Sequence, residues 1–157
     1  MNAVHPLMTQ AVQQTRRTGE FDLMCSAGAA FPLFSPEGER KWIREWNPRP
    51  MFPDTIEFRQ DTVFREGEAV WTIVDADWQT HRAEYVRVAP SSHTAHIVVK
   101  VDAAGADRSH VKVSYTVTII GEQGASLLEA FSEAEFAAKM RRWQKQIGEH
   151  LESKKRA

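Results

Sequence analysis

The side chains able to do chemistry are few, and most fall in runs with strand periodicity. The chain has two tyrosines, Tyr85 and Tyr115, and both lie in alternating segments, as does Arg87. A phenol carried into an apolar interior needs a hydrogen-bond partner. Tyr85 and Tyr115 therefore either orient a carbonyl or hydroxyl of a bound molecule, or pack in the core against a backbone carbonyl or water. Arg87 pairs with a ligand carboxylate if it faces inward, and is solvated if it sits at the strand's wet rim. The six histidines are His5, His81, His93, His96, His110 and His150. His93 and His96 are three apart, which on a strand sends them to opposite faces. No cysteine pair and no His-Glu-x-x-His run supplies the convergent ligands of a zinc site, so neither a metal nor a cofactor is expected. Nucleophile elbows, phosphate-binding loops and dinucleotide fingerprints are absent from the sequence. The single cysteine, Cys25, reads as a small inert hydrophobe. Asp75, Asp77 and Glu84, with His81, offer acid–base pairs in principle. Acids near turns act first as turn formers, so no catalytic residue is assigned.

The bulk composition narrows the classes. Lys and Arg number 20 against 21 Asp and Glu in 157 residues, which leaves no global field for nucleic acid or anionic lipid. No apolar run approaches the roughly 18 residues of a membrane span. A lone cysteine and no signal-peptide pattern point to a reducing cytoplasm. The length suits one domain, read here as 12–152, with a loose arm at 1–11 and a frayed basic tail at 153–157. Five Trp and eight Phe accompany the two Tyr. A core so rich in rings either packs a large surface or leaves space that another molecule fills.

These residues must be positioned by the following elements. A first strand covers 15–25, with Phe21 and Leu23 in phase. The run AGAAFPLFSP then predicts a short helix or turn. Ser35-Pro36-Glu37 is a helix start, with a capping serine, proline at the first position and an acid near the positive end of the dipole. The helix it opens runs through GERKWIREW, with Trp42, Ile43 and Trp46 on one face, until Asn47-Pro48 stops it. Short strands are read at 56–58 and 62–65, with a hairpin at Glu66-Gly67-Glu68. Longer strands follow at 69–76, 80–88, 94–101 and 111–120, joined by short turns as an antiparallel meander. Ser132 and Glu135 stand at capping-box spacing. Beyond them Phe136, Met140, Trp143, Ile147 and Leu151 form the apolar stripe of a long last helix.

Strand phase selects an inner face. It comprises Ile97, Val99 and Val101 on one strand, and Val113, Tyr115, Val117 and Ile119 on another. On 80–88 it takes Ala83 and Tyr85, with His81 and Arg87 at the rims. On 69–76 the pattern fits either face, and Trp71 and Ile73 are assigned inward. The result is an α+β chain in which an antiparallel sheet of about six to seven strands curls around one C-terminal helix, with two short helices after the first strand. A curled sheet around one helix tends to leave a hollow between them.

The run FPLFSPEGERKWIREWNP, followed by VWTIVDAD, HRAEYVRVAP, VSYTVT and AEFAAKMRRWQKQI, resembles the SRPBCC superfamily. That group includes START-related, Bet v 1-like and polyketide-cyclase-like proteins. The resemblance covers about Thr15 to Leu151, and PEGERKWIREWNP and EYVRVAP are its most specific parts. It implies the helix-grip fold and an internal cavity that binds lipids, polyketides or other hydrophobic compounds. Three functions stay open: a carrier of a small hydrophobic molecule, a cyclase or aromatase-like enzyme using the same cavity, and a co-chaperone-like or stress-related interaction domain. The expected cavity lining is Trp42, Trp46, Trp71, Ile73, Tyr85, Arg87, Val99, Val113, Tyr115, Phe136, Met140 and Trp143. The expected partner is a small hydrophobic molecule, without nucleic acid or a membrane span, bound by a monomer or homodimer.

Overall fold

A computed structural model describes residues 13–156, so the arm read at 1–11 lies outside the described residues. The chain opens with β1 (Gln14–Leu23), α1 (Ala27–Ala30), a 3-10 turn (Phe31–Phe34) and α2 (Pro36–Glu39). Six strands follow: β2 (Arg49–Phe52), β3 (Val63–Glu66), β4 (Ala69–Asp77), β5 (Arg82–Ala89), β6 (His93–Ala103) and β7 (Ser109–Ile119). A 3-10 turn (Glu122–Gly124) and α3 (Ala125–Glu129) lead into the long α4 (Glu133–Arg156). The strands form one curved antiparallel sheet in the order β1-β7-β6-β5-β4-β3-β2. Chain order from β2 to β7 is a simple meander, and β1 returns to pair with β7 along its whole length.

One face of this sheet is buried, and that alone explains most of its sequence. On β6 the buried residues are His93, Ala95, Ile97, Val99 and Val101, and on β7 Ser109, Val111, Val113, Tyr115 and Val117. Ala83, Tyr85, Trp71 and Ile73 are buried on β5 and β4, which resolves the inward face of β4. Facing positions carry the ionic pairs, because an antiparallel sheet can leave its outer face in water. His110 bridges Glu20 at 2.9 Å and Asp22 at 2.6 Å across β1 and β7. His96 meets Glu84 at 2.7 Å across β5 and β6.

The caps read from the sequence are present. Ser35 Oγ accepts from the Gly38 N–H at 2.9 Å, and Ser132 Oγ accepts from Glu135 at 3.1 Å. Gly67 forms the β3–β4 turn at φ +59°, in the left-handed region open to glycine.

Three readings need correction. The helix opened by Ser35 ends at Glu39 rather than continuing through Trp46. The indole N–H groups of Trp42 and Trp46 reach back to the carbonyls of Leu33 and Pro36, both at 2.8 Å. Arg40 also bonds Asn47 and the Pro48 carbonyl, so the segment folds onto itself. Residues 56–58 are not a strand; the edge strand is β2, earlier in the chain and exposed throughout. The tail does not fray at Ser153, because α4 runs on to Arg156. No helix among the described residues is long and apolar enough to cross a membrane.

The fold-back depends on a close approach at Gly38. A Cβ there would lie 1.9 Å from the Pro32 carbonyl oxygen and 2.9 Å from Leu33 Cα, both of them backbone atoms. Gly38→Ala is expected to cost about 1–3 kcal/mol in urea unfolding, because the backbone must shift. An unchanged midpoint would show that the turn has room.

Candidate functional site

The register places inward-facing side chains in rows across the sheet. One row runs Ile73, Tyr85, Ile97, Tyr115 and Arg17. The next, toward the β5–β6 turn, runs Trp71, Arg87, Ala95 and Val117. Arg87 thus has inner-face parity, yet it is only half-buried, as are Ala89 and Ile119 beyond it. Solvent therefore reaches the inner face at this end of the sheet.

Rings wall this end. Trp71 stacks on Phe64 at 5.6 Å and meets Trp46 edge-on at 5.4 Å and Tyr85 at 6.0 Å. From α4, Phe136 and Trp143 meet Tyr115 at 5.6 and 6.5 Å. The Arg87 guanidinium lies 5.1 Å from the Trp71 ring centre and 5.9 Å from that of Tyr115. The Lys139 ammonium lies 4.3 Å from Tyr115 and 5.4 Å from Trp143. Two cations and three rings, Phe131, Phe136 and Trp143, therefore converge on Tyr115, the cations within the range of cation–π attraction.

The polar atoms divide into two kinds. The Tyr85 hydroxyl donates to the Phe34 carbonyl at 2.6 Å, and burial raises its pKa well above the usual phenol value. The Trp42 and Trp46 indoles are likewise paired with backbone. By contrast the Trp71 Nε1–H is buried and has no partner. No hydrogen bond to the Tyr115 hydroxyl is found among the described residues.

Arg87 is held from one side. Its Nε donates to His93 Nε2 at 3.1 Å, and His93 Nδ1 faces Ser92 Oγ at 2.8 Å. Accepting from a guanidinium requires an unprotonated Nε2, so the ring is neutral and carries its proton on Nδ1. Burial first, and the Arg87 charge second, push the His93 pKa down to about 4. Glu39, half-buried at the end of α2, has its carboxyl raised well above the ordinary range by burial, with Lys139 acting in the opposite direction.

Of the expected lining residues, Trp71, Arg87, Tyr115 and Trp143 come together here. Trp46 backs Trp71, while Tyr85 and Trp42 tie the short-helix segment to the sheet and to α4. Ile73, Val99 and Val113 form the apolar floor. Phe136 and Met140 turn toward β1, where they line a cleft of about 490 Å³ with Arg16, Arg17, Glu20 and Arg141. A second cleft, about 550 Å³, continues past Leu23 and Leu151. Both clefts lie on the β1 flank of α4. The hollow expected between the bent strands and Phe136, Met140 and Trp143 is instead occupied by rings in contact.

Three residues escaped the sequence reading. His93 has the same parity as Ile97 and Val99, so strand phase already sent it inward; starting the strand at Thr94 hid this. Lys139 precedes Trp143 by one helical turn and shares its side of α4. Glu39 became visible only once the helix ended behind it.

The sheet, the helix and their order define a helix-grip fold of the Bet v 1-like type. Norcoclaurine synthase from Thalictrum flavum, solved with dopamine and hydroxybenzaldehyde, matches with a TM-score of 0.62 at 12% identity over 96% of this chain and 95% of that one. The Zhui aromatase/cyclase from a Streptomyces species matches at TM-score 0.64 and 15% identity, over 88% and 94%. Ara h 8.0201 matches at TM-score 0.57 and 16% identity, over 70% and 80%. No family model matches the sequence, and no curated protein matches it either.

Two outcomes are expected. Tyr85→Phe leaves the buried Phe34 carbonyl without its donor and should cost about 1–3 kcal/mol in urea unfolding, whereas Tyr115→Phe should change stability little. Equal losses would show that Tyr115 also has a structural partner. For His93 the folded pKa lies below the unfolded value of 6.5. The unfolded chain binds a proton that the folded chain refuses, so stability falls as pH drops from 6.5 to about 4. Subtracting His93→Gln unfolding midpoints from wild-type midpoints should isolate that slope, and parallel curves would refute it.

Proposed function

We propose that this chain binds a small, largely apolar molecule on the concave side of its sheet, at the ring cluster around Tyr115, whose side chains part to form the recess. The observation that carries this is the Trp71 indole N–H, a buried donor left without an acceptor inside an otherwise apolar wall. Buried donors are nearly always paired, and an orphan facing rings and a wetted arginine is the kind of polar anchor a small-molecule site uses. The recess is closed by side chains rather than backbone, since α4 packs chiefly on β1 among the strands. A ligand enters by moving rings aside, which rotamer changes allow without breaking the sheet. Similar folds in a synthase solved with dopamine and hydroxybenzaldehyde and in an aromatase/cyclase support small-molecule binding by this fold.

A second reading, a cyclase-like enzyme using the same recess, is favoured by Glu39. A carboxyl whose pKa burial raises well above the ordinary range, near Lys139 and Tyr85, is suited to general acid work. Turnover would need its proton, and carriage would not.

Titration with phenylnaphthylamine, a neutral aromatic fluorophore, tests the binding reading. One probe per chain is expected, with affinity lowered about tenfold or more in Trp71→Phe and Trp143→Phe. Trp78→Phe should bind normally, because Trp78 is half exposed at the distant β4–β5 turn. Binding that never saturates, or losses equal in all three variants, would sink the proposal.

A further inference from the structure

We infer that the molecule taken up in this recess is an organic anion, with a flat apolar body against Trp71, Tyr115 and Trp143 and a single oxyanion held between Arg87 and Lys139. The inference rests on the binding function proposed above and specifies the ligand's chemistry.

The argument starts from charge. Arg17, Arg40, Arg59, Arg82 and Arg108 each have a carboxylate oxygen within 4.0 Å. No such ion pair is found for Arg87 or Lys139 among the described residues. Both are half-buried, and both approach the same Tyr115 ring. Taking a cation partly out of water without an anion is unfavourable, and ring faces offset only part of that cost. An arriving oxyanion relieves that penalty for both.

The donor arrangement agrees. His93 takes only the Nε of Arg87. The remaining guanidinium N–H groups have no partner among the described residues, and they form the planar fork that matches an oxyanion. The Trp71 indole N–H, adjacent to Arg87 across β4 and β5, adds a neutral donor. Every one of these groups donates. Glu39 is the nearby exception, and it lies on the Lys139 and Tyr85 side rather than beside Arg87. A cationic ligand would meet two like charges, and a neutral one would leave them uncompensated. The fork and the ammonium fit any single oxyanion, and the flat body follows from the ring walls.

The test compares two probes with one ring system. Anilinonaphthalene sulfonate carries an anion, and phenylnaphthylamine does not. Wild-type protein should bind the sulfonate about tenfold or more tightly than the neutral probe at low salt. Arg87→Gln and Lys139→Gln should each reduce that preference, lowering sulfonate affinity more than neutral-probe affinity. Arg87→Lys, which keeps the charge but loses the fork, should retain part of it. Arg16→Gln and Arg141→Gln, in the cleft on the β1 flank, should retain all of it. Equal affinity for the two probes, or a preference that survives both recess substitutions, overturns the inference and leaves the binding function standing. A preference lost only in the Arg16 and Arg141 variants overturns it as well. If neither probe binds saturably, the binding function itself fails.

Discussion

How closely α4 can approach the sheet is decided by the side chains beneath it. On β1 the inner residue is Gly19, where a Cβ would lie 2.5 Å from Met140 Cγ and 3.2 Å from Phe136 Cε2. The helix therefore rests almost on backbone at that strand. One row away the inner residues become Tyr115 and Tyr85, and the next row holds Trp71 and Arg87. Rings of that size hold the helix off. The outcome is a wedge, thin at β1 and thick toward β4, filled by aromatic side chains rather than by aliphatic ones. A wedge filled this way is adaptable, because a ring can swing on two torsions while the strands below it stay fixed.

Charge is sorted by the same sheet. On the outer face each ionisable residue tends to meet its opposite. His110 is raised in pKa by its hydrogen bonds to Glu20 and then Asp22, and Glu84 is lowered by the hydrogen bond from His96. Exposed pairs of this sort contribute little to stability but keep the surface neutral and wet. On the inner face of β1, β5 and β6 the basic groups are Arg17, Arg87 and His93. Arg17 is spent on the Phe131 carbonyl and lies over its ring. His93 is neutral and serves as an acceptor. That leaves Arg87 as the inner-face cation with donors to spare, and α4 brings Lys139 to the same Tyr115 ring.

The legible parts of this molecule are those in which one physical rule dominates. β6 and β7 alternate cleanly because one face is buried and the other solvated, so Val99, Val113 and Tyr115 announce their side. Ser35 and Ser132 are readable because a helix start needs a side-chain acceptor. β2 was not readable: Arg49, Pro50, Met51 and Phe52 are all exposed, and an edge strand with no buried face has no periodicity. The false helix through Trp46 arose because the i, i+4 spacing of Trp42 and Trp46 satisfies a helical face equally well. Tertiary hydrogen bonds to Leu33 and Pro36 decided the matter, and a local pattern cannot contain them. The residues around Tyr115 follow the same division. Strand phase sends Tyr115 inward and Arg87 to the rim, the pattern on 69–76 fits either face until burial assigns Trp71 inward, and Glu39 and Lys139 join them through packing between elements distant in sequence.

A ligand recess and a crowded aromatic core differ in the state of their polar atoms. Packing alone favours cores in which every buried donor is satisfied, since an unpaired one in low dielectric is costly. The closed side of this ring cluster obeys that rule: Trp42, Trp46 and Tyr85 all donate to backbone carbonyls of the segment that covers them. The open side does not. There Trp71 and Arg87 present donors that no group among the described residues answers. Other unpartnered buried atoms, at Thr62, Ser109 and His150, sit on separate elements and do not converge. Unpaired donors that lie where solvent enters form an arrangement that folding does not require. In the proposed reading the ligand supplies their acceptor.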